Sequence, residues 1–166
     1  ATGNTEDCLF TFTKSGDYYV ISRDLGDGTT VYLNHFGTTN SNIPLTTSSN
    51  TVAVSAGANE SMFKLVSQNN DGSSNPARTL HFHMEAATPY WNRCGSDTSE
   101  KCQEYLFRPA AEGEDTASSN IPGFVQLTSK DQIVDGGQYL IAAKNDAGNW
   151  YVLNPTTASN HLDYVA

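Results

Sequence analysis

The chain is 166 residues long and carries 9 Lys+Arg against 18 Asp+Glu, a formal net charge of −9. That length fits one domain with a core able to stand without staples, and the acidic balance excludes nucleic acid and anionic membrane surfaces, both of which demand Lys and Arg. Only 16% of the residues are charged, against about a quarter in ordinary domains, and no apolar run approaches the roughly 20 residues of a membrane span.

Ser, Thr and Asn take the place of the missing charge, and these side chains favour turns and half-exposed strands over helix interiors. Helical periodicity is almost absent. Short alternating stretches bounded by Gly, Asn, Asp or Pro predict strands over Leu9–Thr13, Asp17–Ser22, Thr30–Asn34, Val52–Ser55, Met62–Ser67 and Thr79–Met84. Further strands are predicted over Glu104–Arg108, Phe124–Thr128, Gln138–Lys144, Asn149–Asn154 and Asp163–Val165. Asp24–Gly28, Asn69–Gly72 and Asn145–Gly148 read as turns, with glycine supplying the positive φ. The acidic, proline-punctuated stretch Ala110–Gly123 reads as a long surface loop or a linker.

The chain repeats itself. Sliding it by 120 positions lays Gly16, Tyr19, Ile21, Gly28, Leu33, Asn34 and Asn40 onto Gly136, Tyr139, Ile141, Gly148, Leu153, Asn154 and Asn160. Each piece is the same glycine-opened hairpin, and a diverged middle copy is expected at Arg78–Phe82 followed by Tyr90-Trp91-Asn92. Three strands also share an aromatic-centred pattern: Cys8–Phe12, Ser61–Leu65 and Glu104–Arg108. Three hairpins and three such strands predict one all-β module over 1–166, a pseudo-threefold β-trefoil whose stacked repeats share a core. A β-sandwich or jelly roll is the alternative.

Cys94 and Cys102 bracket a polar loop, and the low-charge, Thr/Asn-rich composition suits an oxidised bridge there in a secreted or cell-surface protein. Cys8 is then left as a buried thiol. The chain opens on Ala1 rather than Met, as expected of a processed or excised piece.

Catalytic signatures are missing: there is no Gly-x-Ser-x-Gly elbow, phosphate-cradling glycine loop, His-Glu-x-x-His or Cys-x-x-Cys. Carboxylates recur in pairs, such as Asp131 with Asp135 and Glu112 with Glu114, but acid/base chemistry needs two with separated pKa values, and solvated surface charge explains them. His81 and His83 have the i, i+2 spacing of a chelating strand, yet further ligands would be needed. No metal or cofactor is therefore expected.

Tyr90-Trp91-Asn92-Arg93 is the most informative segment, placing two aromatics, an amide and a guanidinium side by side. Sugars are held by aromatic faces and a few placed hydrogen-bonding groups, and an Arg fork can pair with the carboxylate of an acidic sugar. Trp150 is a second candidate platform, and His83 a further candidate contact. The competing expectation is that Trp91 belongs to the core.

Gly136–Ile141 with Trp150–Pro155, and Tyr90–Arg93 with Leu106–Pro109, resemble non-catalytic, trefoil-like carbohydrate-binding modules of large secreted bacterial glycosidases, sialidases among them. The Gln-x-Trp signature of ricin-type trefoil lectins is absent. The resemblance implies a lectin-like role without catalysis, in which a glycan is the ligand and a linked catalytic domain gains local concentration through multivalency. The rival expectations are a trefoil-type protease inhibitor presenting the Asp97–Lys101 loop, a small glycosidase, and a structural spacer.

Overall fold

A computed structural model describes residues 5–33, 45–67, 78–83, 90–94, 103–154 and 162–164; at 78, 81–83, 90, 92–94 and 162–164 it describes the backbone alone. The described chain is all-β. Its strands are β1 (Phe10–Ser15), β2 (Tyr18–Asp24), β3 (Thr30–Leu33), β4 (Leu45–Thr46), β5 (Thr51–Ala56), β6 (Phe63–Ser67) and β7 (Arg78–His83). They continue as β8 (Tyr90–Cys94), β9 (Tyr105–Pro109), β10 (Phe124–Gln126), β11 (Gly137–Lys144), β12 (Trp150–Val152) and β13 (Leu162–Tyr164). Among the described residues no helix is long and apolar enough to cross a membrane. Every strand predicted from the sequence has a counterpart. The one that was not predicted is β4, which is only two residues long; β8, which carries the candidate site, falls where the second half of the middle hairpin was expected, at Tyr90-Trp91-Asn92.

All pairings among the described residues are antiparallel, and six strands close on themselves. β1 pairs with β2, β2 with β5 and β5 with β6; β9 pairs with β11, and β11 returns to β1. The remaining gap, between β6 and β9, is spanned by a single bridge between Phe63 and Glu104. Outside this ring, β3 and β4 extend from β2, β7 and β8 from β6, and β12 and β13 from β11. β10 runs along β9.

The registers repeat three times around the ring. Tyr19 lies opposite Val52, Phe63 opposite Glu104, and Tyr139 opposite Phe10. Two residues along, Phe12 faces Ile21, Val54 faces Leu65, and Leu106 faces Ile141. The pairs Ser22–Tyr32, Val66–Thr79 and Ala142–Val152 then bring Leu33, Leu80 and Leu153 to matching places. These three leucines are fully buried. The offset of 120 between the first and last copies is the one the sequence shows. The middle copy is corrected: it begins at Phe63, with Phe63-x-Leu65 standing for Tyr-x-Ile, and Arg78–His83 is its second strand rather than its first. Ser61–Leu65 accordingly matches Tyr19 and Ile21, not Phe10 and Phe12.

Period-two alternation explains the core. Successive strand side chains point to opposite faces, so Phe10 and Phe12, Tyr19 and Ile21, Val52 and Val54, Phe63 and Leu65, and Tyr139 and Ile141 enter one cluster with Leu106. The opposite face of β9 and β11 builds a second cluster: Phe107, Leu140, Ala142, Trp150 and Val152 pack with Cys8, Leu9, Ile121 and Phe124. Ile121 and Phe124 draw the 110–123 stretch onto the body of the protein. That stretch is a packed surface loop rather than a linker. Arg108 grips Glu114 with two 2.9 Å bonds, and the Ala111 amide adds a third at 2.8 Å. The Arg108 guanidinium, then the Ala111 N–H, hold the Glu114 carboxyl down to about 2. Both side chains are partly exposed, so the pair orders the loop more than it stabilises the fold.

Glycine is required where the hairpins open. Gly16 has φ 61° and Gly136, one repeat later, φ 78°, a region costly for residues bearing a Cβ. Gly137 serves differently: a Cβ there would meet the ring of Tyr139. That ring is held at its far end, where its hydroxyl accepts from Val134 N at 2.9 Å and donates to Gln132 O at 3.3 Å. Gly137→Ala is expected to destabilise by about 1–3 kcal/mol through overpacking. A urea midpoint equal to that of the parent would show that the ring yields freely.

Candidate functional site

Four of the six predicted ligand contacts occupy successive positions of β8. Its register sets Tyr90 opposite His83, Trp91 opposite Phe82, Asn92 opposite His81 and Arg93 opposite Leu80. The backbone thus brings His83 beside the Tyr90–Arg93 segment. Among the described residues β8 pairs with β7 alone, so it is the outer strand of its hairpin.

Trp91 corrects the sequence expectation of a stacking platform. It is 0% exposed and belongs to the main cluster with Phe63, Leu65 and Leu80. The cause is ordinary: an indole has more apolar area to remove from water than any other side chain on the strand. Its role is to anchor β8 to the ring. Trp150 is also corrected from an exposed platform to a core residue, 3% exposed. Its ring meets Tyr105 at 5.0 Å and Phe107 at 5.2 Å, both edge-on, and Lys144 Nζ lies 5.5 Å from its centroid. The two tryptophans sit in different clusters, so Trp150 is not brought to the β8 segment.

Cys102 lies outside the described residues, and with it the proposed pairing to Cys94. Cys8 is buried at the end of a short 3-10 turn over Thr5–Cys8. Burial pushes its thiol up to about 11, with Arg23 pulling the other way. The carboxylates singled out as pairs are scattered: Glu114 holds Arg108, Asp135 accepts the Lys14 amide at 2.8 Å, and Asp131 and Glu112 are exposed. Among the described residues no group of three His, Cys, Asp or Glu side chains is placed to hold a metal ion.

The residue that sequence reasoning missed is Glu104. It is 0% exposed, and neither carboxyl oxygen has a hydrogen-bond partner among the described residues. Burial alone pushes its carboxyl well above the usual range. Its neighbour Gln103 is buried too, and Gln103 Oε1 accepts from Ala58 N at 2.6 Å. No local sequence signal marks Glu104; the strand register places it where the other two copies carry Val52 and Phe10.

Neither a scan against protein-family models nor searches of curated proteins and of solved structures found a match.

Proposed function

We propose that the chain is a non-catalytic carbohydrate-binding module on a β-trefoil frame, secreted and linked to a glycosidase domain. The trefoil reading is supported by three matching sets of register pairs in a ring of six strands, with one two-stranded extension per repeat. A fold alone does not name a function, so the binding reading rests on β8. There Tyr90 and Asn92 flank a tryptophan that is fully buried, and Arg93 follows two positions after it. An anchored strand holds its neighbouring positions in fixed geometry, and preorganised polar groups lose less entropy on binding. The residue types supply an aromatic ring, an amide and a bidentate cation, the set that recognises hydroxyls and an acidic sugar. The core role of Trp91 and Trp150 moves the site to Tyr90, Asn92 and His83, whose positions alternate with Trp91, while Arg93 holds a position in phase with it.

The test is a glycan array, including sialylated, mucin-type and plant glycans, probed with the parent chain, Tyr90→Ala and Arg93→Ala. Specific hits that fall at least tenfold in a variant with the parent's unfolding midpoint support the reading. A blank array from folded parent protein overturns it, and inhibition of a protease by the same preparation would replace it with the inhibitor reading.

A further inference from the structure

Among the described residues, the seam between β6 and β9 is the thinnest in the ring. β1 and β2 are in register from Thr11 through Ser15, β5 and β6 from Val52 through Ala56, and β9 and β11 from Tyr105 through Phe107. Among the described residues β6 meets the β9 segment at one position, where Phe63 and Glu104 exchange two backbone bonds of 2.8 and 2.8 Å. The side chain at that single crossing is the buried carboxyl without a partner. Its counterparts in the other two copies, Val52 and Phe10, sit in seams with further registered pairs on either β2 or β11.

Nothing on the described parts of the packed elements is placed to offset a charge there. On β6, Lys64 alternates with Phe63 and Leu65 and so lies on the opposite face. On β9, Arg108 is committed to Glu114. On β11, the Tyr139 hydroxyl is bonded to Gln132 and Val134. In the turn before β6, Glu60 is exposed, and Gln103 is neutral and engaged with Ala58. A carboxylate in this place would be a charge in an apolar interior, which is costly unless paired.

We propose that Glu104 is a proton latch: protonated, it lets the β6–β9 seam close, and loss of its proton as pH rises loosens that seam ahead of the rest of the ring. The sign follows from linkage. A carboxyl that keeps its proton better when folded than when unfolded gives the folded state an extra bound proton above the ordinary range near 4.5. Its stabilising contribution is complete below that range and is lost as pH rises through the folded value. The folding constant then falls by up to about tenfold per pH unit across the window.

The test uses the full chain, with Glu104→Gln and Glu104→Leu, in urea unfolding from pH 4.5 to 8.5. The three proteins share every titratable group except the one replaced, so the difference in slope reports Glu104. The expected result is a folding constant that falls with pH by about tenfold per unit more in the parent than in either variant, with both variants more stable at pH 8. Parallel profiles in the parent and whichever variant folds would overturn the latch. Amide exchange, corrected for intrinsic pH dependence, locates the effect in the parent alone. Protection over 63–67 and 104–108 is expected to fall before that over 10–15; uniform loss around the ring overturns the seam assignment. A carbon-detected titration in which the Glu104 carboxyl behaves as an exposed glutamate overturns the proposal without any variant.

Discussion

Replacing Trp91 with alanine is expected to destabilise the protein by about 3–5 kcal/mol. The indole is fully buried among Phe63, Leu65 and Leu80, so truncation removes its transfer energy and leaves a cavity that rigid strands only partly fill. Typical domains hold about 5–15 kcal/mol in all, so the variant should be marginal or unfolded at 37 °C. The urea midpoint checks this, with an unchanged m-value as the sign that the denatured state is unaltered. Trp91→Phe, which keeps an aromatic ring, should lose less. The result separates two roles for one residue: a folded alanine variant with the parent's midpoint would put the indole outside the core. Any loss of glycan binding in Trp91→Ala must accordingly be read as unfolding unless the midpoint is retained.

Trp150→Ala is expected to cost a similar amount, about 3–5 kcal/mol, but from the second cluster. Its two edge-on partners, Tyr105 and Phe107, each add about 0.5–1.5 kcal/mol beyond buried area. The local consequence should differ from that of Trp91. Ile121 and Phe124 share the cluster with Trp150, and they fasten the 110–123 loop. Limited proteolysis should therefore cut within that loop in Trp150→Ala under conditions where the parent and Gly137→Ala remain whole. Equal cleavage in all three would show that the loop is held by Arg108 and Glu114 without help from the core.

Strand positions were legible because period-two alternation and glycine turns are local signals. The offset of 120 was legible because Tyr19 and Ile21 return as Tyr139 and Ile141 with no gap between copies. The middle copy was hidden by substitution, since Phe63 replaces tyrosine, and by a longer stretch of sequence before Thr79 that breaks the spacing. Aligning on Arg78 instead moved every expectation by one strand. The tryptophans were harder, because an aromatic between polar residues suits both a binding face and a strand with one buried side. Trp91, set between Tyr90 and Asn92, went to the interior. Glu104 was illegible for the opposite reason: a glutamate beginning a strand ordinarily faces solvent. Only the register with Phe63, a contact across forty residues, puts it inside.

The pairing of Phe10 with Tyr139 also constrains the order of events when the chain folds. The strand that comes first among those described finds its second neighbour only after nearly all the others have been made. Until β11 is available, β1 keeps one edge open and the ring has no way to close. Contacts of such long sequence separation fold slowly, on the scale of milliseconds to seconds. During synthesis the half-built ring would present β1 as a bare edge, the kind of surface that templates association between chains.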